Sequence, residues 1–560
     1  MLRQPSGIQA TSNMQTPILG ASYVARSVNA ADNRLVNLFP EATADGGKTA
    51  GFFNRAPGLQ FQQTIGTGPI RALWAHQTNG SDFYVVSGNG FYKVTGLTAT
   101  PTLLGTVTGT GPVSIADNGT QMFLACNPDG FIYNESTNVF AQITDPDFEG
   151  AVTVGYLDGY FVFNEPNSQK VWVTQLLDGT SVDPLDFASA EGSPDGLVAI
   201  NINHREAWLF GTDSVEVWYD SGDTDYPLTR IQGAFNEIGC VAAFSVAKLD
   251  NALFWLGTDA RGQGIVYRAN GYTGVRVSTH AIEYAIAQYG NISDAVAYTY
   301  QQEGHAFYVL TFPSGNATWV YDVSTQSWHE RAGWDNGEFT RHRSNCQCNF
   351  GGNTIVGDFE NGNIYTLDLD VYADNGGIQK WLRSWRALPT GTNNLKRSAQ
   401  HSLQLDCETG VGLNLYPKYD SENIDTEAGL NLVAEYVQTF LATQANDTLT
   451  TEAGNGFEPL GQYELADIDI NGYELVTTSY PAAPGYNPEV MLRWSDDGGH
   501  TWSNEHWSPM GKIGEYFKRV FWRRLGMTLK LRDRVYEVSG TDPVKMVIVG
   551  AELIISPTNA

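Results

Sequence analysis

An apolar strand, a Gly/Asn/Asp-rich turn and a second strand that usually carries an aromatic recur seven times between residues 70 and 370. The first copy runs Phe83-Tyr84-Val85-Val86 then Gly90-Phe91-Tyr92, and the last runs Thr354-Ile355-Val356 then Asn363-Ile364-Tyr365. Between them, markers at Phe123, Phe161, Leu209, Phe254 and Tyr308 keep a loose period of about 40–50 residues. Short strands at that period predict a β-propeller, in which each repeat is one blade. The repeat count leaves six or seven blades, since the last unit can complete a six-membered ring. Helical periodicity is almost absent, with one candidate near His280-Ala281-Ile282-Glu283-Tyr284-Ala285.

The pattern divides the chain. Residues 1–65 read as a polar, extended N-terminal arm, with Arg34-Leu35-Val36-Asn37 inside it and Arg55-Ala56-Pro57-Gly58-Leu59 as a turn feeding the first blade. Residues 66–372 are the predicted propeller. After Asp374-Asn375-Gly376-Gly377, residues 373–410 and 488–560 read as antiparallel strands of one β-sandwich, split by an insertion at 411–487. The expected fold class is therefore all-β: a six- or seven-bladed β-propeller followed by a β-sandwich with an acidic insertion.

Composition sharpens this reading. The insertion holds twelve Asp and Glu against the single base Lys418, and repeats itself at Asp425-Thr426-Glu427-Ala428-Gly429 and Thr450-Thr451-Glu452-Ala453-Gly454. A protruding tip is the expectation, with Glu422, Asp425, Glu427 and Glu452, then Asp467, Asp469 and Glu474, as its exposed acids; a plain surface loop is the alternative. The whole chain of 560 residues carries a formal net charge of −28. Such a chain is a poor non-specific ligand for nucleic acid or anionic membrane, because phosphate contact needs Lys and Arg. Five sparse cysteines form no disulfide framework, and no apolar run is long enough for a membrane span. No secretory leader is expected from Met1-Leu2-Arg3-Gln4-Pro5-Ser6, so assembly in a cytoplasm is.

Three local patterns carry candidate chemistry. Ser495-Asp496-Asp497-Gly498-Gly499-His500-Thr501-Trp502 matches the Asp-box Ser-x-Asp-x-Gly-x-Thr-Trp. Its physics is a β-hairpin: Asp497 takes backbone N–H groups across the turn, Gly499 supplies a positive φ, and Trp502 packs beneath, with Ser495 and Thr501 completing the box. One box marks a hairpin and not a glycosidase, since glycoside hydrolysis needs an opposed carboxylate pair in a cleft. His342-x3-Cys346-x-Cys348 resembles part of a metal site, but its spacing is short for zinc and a core strand fits it as well. The basic run Lys518, Arg519, Arg523 and Arg524 sits in an aromatic context, Tyr516-Phe517 and Phe521-Trp522. In so acidic a protein it is expected to contact another subunit or an adaptor, ahead of DNA. No Gly-rich phosphate loop opens a helix, so no cofactor, metal or catalytic residue is expected.

The order of these parts resembles the packaged-DNA stabilisation proteins, the tail hub or nozzle proteins of short-tailed bacteriophages. The resemblance rests on Arg34-Leu35-Val36-Asn37, on Pro194-Asp195-Gly196 followed by Phe210-Gly211-Thr212-Asp213-Ser214-Val215-Glu216-Val217-Trp218, and on the Asp-box run. It implies a non-enzymatic virion tail protein. It further implies a homo-hexameric ring below the portal-adaptor protein, tail fibres or spikes on its flank, and a needle or gate protein. DNA would pass through the lumen without specific binding, and no membrane would be touched. The alternatives are a carbohydrate-binding or sialidase-like propeller, or a monomeric interaction hub.

Overall fold

The computed structural model describes residues 12–413 and 484–557, omitting 29, 44–45, 77–80, 191, 194, 224–225, 260–261, 390–396 and 529–533. It also describes three short strands, Ile424–Asp425, Asn431–Ala434 and Leu441–Ala442, which pair with one another. Glu422, Glu427, Glu452, Asp467, Asp469 and Glu474 lie outside the described residues.

The predicted repeat is a set of seven antiparallel sheets. Their strands follow one another in sequence, and the first three sheets span 70–106, 114–142 and 154–189. The next three span 197–236, 239–276 and 296–335, and the seventh is built on 344–368. The apolar runs seen in the sequence are the second and third strands of each blade. They are continuous and not alternating because both faces are buried. In blade one, Tyr84 and Val86 pack with Leu124 and Tyr133 of blade two, while Phe83 and Val85 pack with Ile355 and Ile364 of blade seven. The same relation repeats from Phe123 and Phe161 round to Tyr300 and Tyr365. Seven apolar clusters join seven neighbouring pairs, so the ring closes with seven blades.

Closure depends on the N-terminal stretch. Gly58–Thr64 is the fourth strand of blade seven, antiparallel to Asn363–Asp368 with Asp368 opposite Gly58 and Asn363 opposite Thr64. The expected turn into blade one is instead the latch of the last blade. Gly58 suits this place because a Cβ there would collide with the carbonyls of Val371 and Ala373.

Other parts of the expected N-terminal arm are also sheet. Ser12–Gln15, Leu38–Ala42 and Gly51–Arg55 join Ser398–Cys407, Val520–Arg523 and Val547–Pro557 in one sheet. A second sheet holds Trp381–Arg386, Glu489–Ser495, His506–Pro509 and Val535–Gly540. Strands from both sides of 411–487 pair directly: Trp381–Arg386 with Val535–Gly540, and Ser398–Cys407 with Val547–Pro557. Trp385, Tyr536, Leu403, Leu553, Ile548 and Phe53 fill the space between the sheets. Leu38–Ala42 and Gly51–Arg55 pair with each other, and they and Ser12–Gln15 join the sandwich through Val547–Pro557, some 500 residues away.

Candidate functional site: the propeller–sandwich joint and the exposed sandwich edge

Leu35–Val36 bridges the two bodies. It runs parallel to blade six, with Val36 opposite Glu330, and antiparallel to the sandwich strand, with Val36 opposite Leu382. One hydrogen-bonded sheet therefore passes from propeller to sandwich. Val36, Ala332 and Leu382 close a small apolar plug at the crossing.

Asn37 follows at φ 52, a left-handed conformation that Asn tolerates better than most residues. It is fully buried. Its Nδ2 donates to Ala332 O at 2.8 Å and to Lys380 O at 2.7 Å, and its Oδ1 accepts from Ala332 N at 3.0 Å. One amide thus satisfies backbone groups of both bodies. Beside it the Arg34 fork meets Glu330 of blade six, Nε to Oε1 at 3.2 Å and Nη2 to Oε2 at 2.6 Å, while the Arg34 amide donates to Ser384 Oγ at 2.8 Å.

Two buried arginines serve carbonyls. Arg55 donates to Asp542 O at 2.6 Å, Val544 O at 2.8 Å and Tyr372 O at 3.0 Å, and burial pushes its guanidinium down to about 10. Arg383 donates to Ile18 O at 2.7 Å, and burial lowers it to about 9. Both remain cations at neutral pH, held by peptide dipoles that fix the N-terminal segment. Buried Asp374 accepts from Gln379 Nε2 at 3.3 Å and leaves Oδ2 without a hydrogen-bond partner among the described residues; burial raises it to about 6, against the pull of Arg331 and Arg55. In the sequence Arg55 and Asp374 read only as turn and boundary residues, and Arg383 does not stand out. The available signal was a lone charge in an apolar run, as in Trp381-Leu382-Arg383-Ser384-Trp385.

The Asp-box closes against this joint. Asp497 Oδ1 accepts from Thr501 N at 2.8 Å and His500 N at 3.0 Å, and Oδ2 accepts from Thr501 Oγ1 at 2.6 Å. Gly499 has φ 105 and donates its N–H to Ser495 Oγ at 2.8 Å. Trp502 is half-buried with the Arg493 guanidinium 4.8 Å from its ring centroid. Asp496, unassigned within the pattern, receives Arg534 Nε at 2.7 Å and Nη2 at 2.9 Å.

His342, Cys346 and Cys348 go into blade seven. His342 Nδ1 lies 2.6 Å from Ser344 Oγ, and burial holds its ring well below the usual histidine range. Cys348 packs with Ile70 and Ile355, and burial pushes its thiol up to about 12. Among the described residues no three His, Cys, Asp or Glu side chains converge to hold a metal.

Lys518, Arg519, Arg523 and Arg524 are all exposed. Val520 and Trp522 turn into the core, so their neighbours face outward, and Arg519 and Arg523 flank the Phe521 ring at 5.5 and 5.0 Å. Val520–Arg523 and His506–Pro509 are the edges of the two sandwich sheets, and Trp522 Nε1 donates to His506 O at 2.8 Å across them. Next to the basic residues stand Tyr516, 70% exposed, and Phe517, 99% exposed. Asp425 closes the strand Ile424–Asp425, and the remaining acids of the expected tip are outside the described residues.

A seven-bladed propeller locked by continuous sheet to a sandwich defines a rigid structural β protein. A family model described as bacteriophage P22 Gp10, beta-propeller, matches residues 14–372, and one described as bacteriophage P22 Gp10, beta-sandwich, matches 464–556. The chain belongs to the bacteriophage P22 Gp10 family, structural proteins of the phage tail. No curated protein matches it. Solved structures similar to part of it include the computationally designed Ika8 protein, at 14% identity and TM-score 0.34 over 60% of this chain and 99% of that one. Another is U3-55K, at 10% identity and TM-score 0.35 over 56% of this chain and 100% of that one. A third is the N-terminal domain of Nup159, at 10% identity and TM-score 0.36 over 60% and 99%.

Proposed function

We propose that this chain is the hub of a short phage tail. Copies form a closed ring that extends the channel of a portal-adaptor assembly, retains packaged DNA and guides its exit. Fibres or spikes attach to the flank, and a needle or gate protein closes the end. Division of the chain at about 372, 410 and 487 into propeller, split sandwich and acidic tip belongs to the same proposal, with the expected arm of residues 1–65 contributing strands to both bodies.

The observation that carries this reading is the joint. Leu35–Val36 makes propeller and sandwich share one sheet, and Asn37 bonds to both. A protomer that holds its shape under load is what a conduit for pressurised DNA needs. Charge supports the same use: at −28 per copy, a lumen that shares this excess repels phosphate and lets DNA slide. The family match over both modules gives the tail setting.

The experiment is negative-stain imaging and native mass measurement of the full chain, alone and with an adaptor ring. A closed ring of copies, free or on the adaptor, is the expected result. A single copy in both conditions, or glycan hydrolysis by the purified chain, overturns the reading.

A further inference from the structure

The ring order of the blades fixes a direction across the protomer. Leu35–Val36 attaches the sandwich at the outer strand of blade six, and Ala373–Asp374 lies on the outer strand of blade seven. Counting round the seven blades, blade three is the one farthest from both.

Blade three carries an unusual loop. Leu176, Leu177 and Leu185 are 58%, 62% and 78% exposed. Leu177 has φ 59, a left-handed conformation that costs a leucine about 1–2 kcal/mol. Leu177 N donates to Gly159 O at 2.8 Å, and Thr180 N donates to Asp178 Oδ1 at 3.0 Å, so local bonds hold the strained turn. Asp178, Asp183 and Asp186 are interspersed with the leucines along the loop and have no cation partner among the described residues. The loop is an exposed apolar knob interspersed with acids.

The sandwich edge is its complement. Phe517 and Tyr516 form an exposed aromatic platform, followed along the edge by exposed Lys518, Arg519, Arg523 and Arg524, which have no carboxylate partner among the described residues. A fully exposed Phe beside Arg is the composition of an interface centre with a charged rim. One surface belongs to the blade farthest in ring order from the sandwich attachment, the other to the outer edge of the sandwich. Complementary patches at different places on identical copies make a heterologous contact, and repetition of that contact closes a ring where its rotation divides a full turn. Local pairing of opposite charge also offsets the repulsion between copies that each carry −28.

We infer that copies of this chain pack head to tail, the Leu176–Leu177–Leu185 knob of blade three in one copy seating on the Tyr516–Phe517 platform and its arginines in the next. This rests on the ring reading above and adds which surfaces make the seam. The occupant of the basic edge is a second copy of this chain; adaptor and DNA are the outcomes that would displace it.

The test compares four full-length proteins by native mass on and off the adaptor ring: wild type, R519E/R523E, D183K/D186K, and the fourfold variant. Circular dichroism and thermal unfolding check that each is folded. Each double variant is expected to weaken ring formation at least tenfold, and the fourfold variant to recover most of it, because the charges are exchanged across the seam. F517D should abolish the ring with the fold intact. A wild-type ring unmoved by the double variants and by F517D overturns the seam but leaves the ring reading standing. Loss in R519E/R523E without rescue in the fourfold variant also overturns it, and loss of adaptor or DNA binding instead of ring assembly gives the edge to those partners. A wild-type chain that never forms a ring overturns both readings.

Discussion

Gly499 of the Asp-box hairpin lies against the carboxylate of Asp32, so close that a Cβ built on the glycine would collide with Asp32 Oδ2. Asp32 belongs to the short hairpin Tyr23–Val24/Asp32–Asn33, and its backbone carbonyl accepts from Ser384 Oγ at 2.9 Å. The Asp-box therefore does more than turn the chain: its tip clamps the N-terminal hairpin onto the sandwich. Gly499→Ala meets two obstacles, φ 105 and the Asp32 contact. Its expected cost is about 2–3 kcal/mol. Chemical denaturation should read a lower midpoint with an unchanged slope. Gly96→Ala, at φ 88 in open space, should lose only about 1 kcal/mol. Equal losses at both sites would refute the clamp.

Asn37 is the second prediction. Asn37→Gly keeps the left-handed backbone but strips the bonds to Ala332 O, Lys380 O and Ala332 N. Leaving buried carbonyls unsatisfied costs about 1–3 kcal/mol each, so a loss of about 2–4 kcal/mol is expected after partial relaxation. Asn37→Ala should lose about 1 kcal/mol more through its backbone. Because those bonds couple two bodies, calorimetry of either variant should split one unfolding transition into two. A single transition at an unchanged temperature would refute the coupling.

The legibility of the fold follows from burial. The second and third strands of every blade are buried on both faces, so Phe83-Tyr84-Val85-Val86 and its six successors stand out as apolar runs. The fourth strands of blades one and two, Thr102–Thr106 and Val139–Gln142, are mostly exposed and vanish into the polar background. Sequence reading therefore found the repeat, and resolved neither its count nor its latch. Gly58–Thr64 pairs with a strand some 300 residues away, and nothing local to Pro57-Gly58-Leu59 distinguishes a latch from a turn. The Asp-box was legible because bonds that shape it are local, Asp497 accepting from Ser495, His500 and Thr501 within four residues. Arg55 and Arg383 were not, because the carbonyls that receive them lie hundreds of residues away. The basic run was readable as charge; that Phe517 stands beside it in full exposure was not.

Two carboxyls make stability depend on pH in an unusual direction. Burial raises both Asp374 and Asp32 to about 6 from an ordinary 3.8. The folded state then holds these protons more tightly than the unfolded chain. Between pH 4 and 6 the folded state binds more protons, so stability falls as pH rises, by roughly 3 kcal/mol at most for each group. Above about 6 both states are ionised and the loss is complete. Asp374→Asn should flatten the slope of stability against pH in that window relative to wild type, leaving the share of Asp32. Urea midpoints at pH 4, 5, 6 and 7 measure it. An unchanged slope would mean that Asp374 ionises freely in the folded protein.

Ring closure gives the last prediction. The latch Gly58–Thr64 buries Leu59 against Tyr365 and Leu367 and supplies the outer edge of blade seven. Its first residue is squeezed between Gly58 N donating to Val371 O at 2.8 Å and Asn375 N donating to Leu59 O at 2.9 Å. A side chain at 58 has nowhere to go, because the obstructing atoms are backbone carbonyls and not the ends of flexible side chains. Gly58→Val is therefore expected to detach the latch at a cost of about 3 kcal/mol or more. The consequence is local before it is global. Amides of Asn363–Asp368 lose their outer partners and should exchange with solvent at least a hundredfold faster, while those of blade three, on the far side of the ring, stay protected. If the two blades exchange alike in the variant, the propeller opens as one unit and the latch is no weak point. If blade seven alone loosens, the seam between first and last blade is where the ring opens first.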